Sequence, residues 1–181
     1  MSEKKTNSTT KKADKDNVRV EEHTEAAKPI VAKDIDVHQF ITVRNGFQGK
    51  LVYVSKRTGE TFEWNEFGAE QDMELQELRN AKSSAKKFFQ SNWFMFSDDD
   101  RWVIDYLGVG QFYRFALDIE HFDDIFRKSP NEIEKEVARL SVGQKRSVSY
   151  RAKQLIRDGA IDSNKAIAAL ERALGVELVE K

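Results

Sequence analysis

The chain has 181 residues, of which 34% are charged and 39% hydrophobic, and it carries 30 basic against 31 acidic side chains for a net charge of −1. That length suits one ordinary domain with a tail, and the charge balance excludes a whole-protein basic field that would draw it onto nucleic acid or an anionic membrane. With no cysteine, disulfides, thiolate metal sites and a cysteine nucleophile are all excluded. The lack of any apolar run of 18 residues excludes a helical membrane span.

Residues 1–34 read as a disordered or extended arm. Lysines alternate with carboxylates there, the first aromatic is Phe40, and too little apolar surface is present to offset the entropy of ordering. The basic start, with no apolar stretch after it, is not a secretory signal. Its expected role is a solubilising tail, or a segment that orders against a neighbouring subunit.

Residues 35–128 read as an α+β body. Gln39 to Arg44 is rich in β-branched and aromatic residues and runs into Asn45-Gly46, a strong turn pair. Leu51 to Val54 forms a second strand. After a turn at Lys56 to Gly59, Thr61 to Trp64 alternates as a third, with Phe62 and Trp64 on one face. The pattern predicts a small antiparallel three-strand meander that needs cover on one face. A helix from about Ala69 to Ser91 supplies that cover, with Leu75, Leu78, Ala85 and Phe89 on one stripe and Asn92 at its end. Trp93 to Phe96 reads as a buried strand or core plug. Asp98 to Asp100 suit the N-terminus of a helix through Trp102 and Tyr106. Short helices follow at Phe112 to Ile119 and Phe122 to Phe126.

Residues 129–178 read as a C-terminal three-helix unit. Ser129-Pro130-Asn131-Glu132 and Ser141 to Gln144 are capping boxes, and Gly159 and Gly175 close the second and third helices.

Candidate chemistry is sparse. His23, His38 and His121 lack ligand spacing, so neither a metal nor a cofactor is expected. Gly108-Val109-Gly110 is a lone GxG, and no GxSxG or GxxxxGK[ST] occurs. The reading is therefore non-enzymatic. The one notable charge feature is the helix 141–158, with five cations against one acid. Arg146, Lys153 and Arg157 share a stripe beside its apolar face. With Arg151 they are the candidate contact residues, for a partner protein or for nucleic acid. Asp118 to Glu136, with seven acids and three cations, is expected to pair with this helix. That expectation ranks protein contact ahead of nucleic acid. The aromatics from Phe88 to Phe115 are expected mostly in the core, the remainder forming a face for another subunit.

Two blocks, RNGFQGKLVYVSKRTGETFEWNEFGAEQDMELQELRNAKSSAKKFFQSNWFMF and LSVGQKRSVSYRAKQLIRDGAIDSNKAIAALERALGVEL, together resemble small, mostly uncharacterised structural and assembly proteins of tailed bacteriophages of Gram-positive hosts. The likeness spans residues 40–178. It implies a non-enzymatic head, neck or tail component. Its partners would be other virion proteins and copies of itself, with no membrane partner. Its location would be the virion, and the host cytoplasm during assembly. The alternative is a nucleic-acid-binding regulator that uses the basic helix.

Overall fold

The structure, a computed structural model, describes residues 35–179; the arm read from residues 1–34 lies outside them. The fold is α+β, with antiparallel strands followed by three C-terminal helices.

The strands do not pair as a meander. β1 (Phe40–Asn45) is the centre of a three-stranded sheet, flanked by β4 (Glu70–Glu74) and β5 (Phe94–Phe96), both antiparallel to it. β2 (Leu51–Val54) and β3 (Thr61–Trp64) form a separate two-stranded ribbon. Asn45-Gly46 is not a hairpin turn. Asn45 is fully buried; its side-chain amide donates to the carbonyls of Gly49 and Glu66 at 2.7 and 2.8 Å. Gly46 is required for another reason: a Cβ there would lie 2.0 Å from the carbonyl oxygen of Asn92. The chain leaves the first sheet here and folds the ribbon over it. Trp64 clamps the two layers by donating its indole N–H to the Val43 carbonyl at 2.8 Å.

The helix expected over Ala69 to Ser91 is corrected in its first and last parts. Residues 70–74 are strand β4, and helix α1 (Leu75–Ser84) starts after it. Ala85 breaks the helix before the four-residue α2 (Lys87–Gln90). The sequence EQDME hides its strand because only Met73 faces the core, so it shows no period-two alternation. Asn92 ends this region as expected, in the left-handed region at φ 52°. Trp93 to Phe96 resolves as strand β5. Helix α3 (Trp102–Tyr106) follows, but no side-chain cap holds its start; the backbone carbonyl of Asp100 accepts from Val103 N–H instead. Of the helix expected at Phe112 to Ile119, only α4 (Gly110–Tyr113) forms, and residues 122–127 are a 3-10 helix.

Tyr53, Phe62, Trp64, Phe88, Phe89 and Phe94 form the aromatic heart of the first core, with ring centroids 4.8–6.0 Å apart. A second core joins Phe122, Ile125 and Phe126 to the C-terminal helices α5 (Pro130–Arg139), α6 (Val142–Arg157) and α7 (Asn164–Leu174). Ser129 caps α5 as expected, its N–H donating to the Glu132 carboxylate at 3.0 Å. Gly175 closes α7 at φ 69°. Among the described residues no helix is long and apolar enough to cross a membrane.

Candidate contact face on the basic helix

Helix α6 has two faces, and its sequence spacing separates them. The inner face carries Gly143, Gln144, Ser147, Val148 and Ala152, all buried. Their spacing of three and four residues turns them to one side.

Three polar or backbone fits hold this face. A Cβ on Gly143 would lie 2.1 Å from the carbonyl oxygen of Ser91, so the helix backbone rests directly on the loop before β5. Ser147 Oγ donates to the Gly46 carbonyl at 3.1 Å and accepts from Gln48 N–H at 3.3 Å. Gln144, 1% exposed, uses both ends of its amide on Leu117: it accepts from the Leu117 N–H and donates to the Leu117 carbonyl, each at 2.9 Å. The second capping box is therefore half formed. Ser141 Oγ accepts from Gln144 N–H at 3.1 Å, but the Gln144 side chain is spent on Leu117.

The outer face carries the candidate contact residues, and they divide. Arg151 is tied to Asp123 by a two-pronged ion pair, Nε to Oδ1 at 3.0 Å and Nη2 to Oδ2 at 2.5 Å. Hydrogen bonding to Asp123 also raises its pKa above the ordinary guanidinium value. Arg157 sits 3.9 Å from Asp158, both exposed. Arg146 and Lys153 have no hydrogen bond or ion pair among the described residues, and neither does the Lys145 ammonium.

The expected pairing of the acidic stretch with α6 thus holds only at Asp123. Glu134 pairs with Arg172 of α7, Glu136 with Lys128, and Glu132 with the Ser129 cap. Arg172 is consequently occupied, which leaves Lys165 as the one basic side chain of α7 without an ion pair among the described residues, few donors for a DNA-reading helix.

Lys145, Arg146 and Lys153 border a shallow hollow of about 340 Å³ with Val142, Tyr150, Leu174 and Val176. Val142 is 71% exposed, Tyr150 57% and Val176 44%. Sequence reasoning missed the apolar part of this face. Val142 and Tyr150 lie one turn either side of Arg146 on the stripe already identified, and that spacing was the available signal.

A larger cleft lies elsewhere. It measures about 640 Å³ and is bordered by Arg57, Arg79, Lys82, Asn80 and Tyr106, with no carboxylate or imidazole on its walls. Buried Glu77, whose partners Arg57 and Asn80 border this cleft, accepts from Tyr53 Oη at 2.6 Å, from Asn80 at 3.1 Å and from Arg57 Nε at 3.2 Å. Burial pushes the Glu77 carboxyl up, but the hydrogen bonds from Tyr53, Ser55, Asn80 and Arg57 outweigh it and hold the pKa below its ordinary value. Burial and then the bond to Glu77 raise the Tyr53 phenol far above its ordinary range. The group is a structural clasp between ribbon and α1. Among the described residues no cluster of three or more histidine or carboxylate side chains could hold a metal.

Compared with protein-family models, with curated proteins and with solved structures, the chain shows no match.

Proposed function

We propose that the protein is a non-enzymatic structural or assembly component of a phage particle, acting through protein–protein contacts made by the outer face of α6. The observation that carries this reading is the combination on one face of three unpaired cations with exposed Val142, Tyr150 and Val176. Aromatic and arginine side chains beside apolar surface are what interface centres favour. A merely solvated surface has no need of three clustered large exposed groups of this kind, two from α6 and one from the segment after α7. Working partners on this reading are other virion proteins and copies of the chain itself. It resides in the virion and, during assembly, in the host cytoplasm. The resemblance of residues 40–178 to phage assembly proteins supplies the setting.

The test is quantitative mass spectrometry of purified particles, with sedimentation of the isolated protein. Retention in particles through density-gradient purification is expected. A protein that never enters particles and stays monomeric overturns the reading.

A second reading rests on the same unpaired cations. Lys145, Arg146 and Lys153 would meet phosphates while Tyr150 stacks on a base. It predicts duplex or single-strand binding that falls steeply with salt. Two of the helix's five cations are already engaged with carboxylates, and Val142 and Val176 offer nothing to a phosphate backbone, so protein contact ranks first.

A further inference from the structure

We propose that the partner seated in the α6 groove is a second copy of this chain, which inserts Phe40 and the carboxylates around it. This inference rests on the protein-contact reading above and names its occupant. The observation behind it is a second, oppositely charged surface. Phe40 begins β1 on the outer side of the sheet and is 68% exposed. Glu74 lies directly across from it on β4, and Asp72 across from Thr42. Phe40, Glu60, Asp72 and Glu74 border one hollow of about 350 Å³.

The charges on this acidic face are only lightly compensated. Asp72 accepts one hydrogen bond, from the Thr42 hydroxyl at 2.8 Å, and Glu74 stands 3.7 Å from the exposed His38. The Glu60 carboxylate has no ion pair among the described residues. Arg57, the cation at this hollow, is bound to buried Glu77. Glu60, Asp72 and Glu74 therefore face outward around an aromatic knob.

The groove on α6 carries the converse: Lys145, Arg146 and Lys153 around an apolar floor. An aromatic anchor entering an apolar hollow, ringed by complementary charge, is the arrangement that gives both affinity and register. The two surfaces share no residue. One copy can therefore offer its knob to one neighbour and its groove to another, the head-to-tail arrangement that closes into a ring or extends as a filament.

Charge exchange monitored by analytical ultracentrifugation tests the proposal. The wild-type chain should associate in a concentration-dependent way. Reversing the groove (Lys145→Glu, Arg146→Glu, Lys153→Glu) or the knob face (Glu60→Lys, Asp72→Lys, Glu74→Lys) should each weaken association by about 100-fold or more, because like charges then meet. Equimolar mixing of the two variants should restore it, as should all six reversals in one chain. Circular dichroism confirms that each variant is folded, and the restoration makes the result independent of small losses of stability. A wild-type chain that stays monomeric, or association that ignores both reversals or is not restored by mixing, overturns self-pairing. Incorporation into particles separates the two claims: a monomeric chain that enters particles and is lost on groove reversal meets a different protein there. One that enters no particle removes the wider reading as well.

Discussion

Glu77 is a carboxylate kept ionised in a nearly dry site, and that state has a measurable cost in acid. Its folded-state pKa lies below the ordinary value of about 4.5. Ionised Glu77 therefore stabilises the fold at neutral pH, and this stability drains as pH falls below 4.5 towards the folded-state value. Glu77→Gln should flatten the acid limb of the stability curve, read from urea unfolding midpoints between neutral and acid pH. Glu77→Leu should cost roughly 1–3 kcal/mol, chiefly because it strands the buried Tyr53 hydroxyl without an acceptor, while Arg57, 40% exposed, turns to water. Gln144 is a second residue whose role is spatial. Its amide closes a two-bond clasp on Leu117 that no sequence motif announces, because its partner lies 27 residues away.

At the level of elements, α6 depends on one glycine near its start. Alanine is ordinarily the better helix residue by about 1 kcal/mol. Here Gly143→Ala should instead destabilise by roughly 1–3 kcal/mol, because the added methyl collides with the Ser91 carbonyl and neither backbone can yield cheaply. Gly159→Ala makes a useful contrast. It meets nothing within 4 Å and carries only its left-handed φ of 71°. Its cost should be about 1 kcal/mol. Denaturant melts of the two variants separate close approach from backbone strain. The sheet shows the same dependence on neighbours. β4 exists because β1 offers it a partner from Phe40 to Arg44, not because Glu-Gln-Asp-Met-Glu favours a strand.

For the whole molecule, charge is balanced in total and uneven in place. A net charge of −1 conceals a basic groove on α6 and an acidic face beside Phe40. Contacts between exposed charges are screened beyond roughly 10 Å at 0.1 M salt. Self-association should therefore weaken from low to high salt and retain a residual apolar component. Phe40→Ser should remove that residue of binding while leaving the fold intact, as sedimentation in high salt with a parallel thermal melt would show.

The amino-acid sequence by itself determined the α+β class, the ends of the C-terminal helices and the basic stripe on the middle one. All three rest on information within a few residues: periodicity, capping side chains at Ser129 and Ser141, and glycines at 159 and 175. Only the tertiary structure decided which strands pair. It paired Arg151 with Asp123, and it left Arg146 and Lys153 exposed among Val142, Tyr150 and Val176. Those outcomes turn on partners tens of residues apart, where a side chain's neighbours are set by packing and no local pattern carries the information.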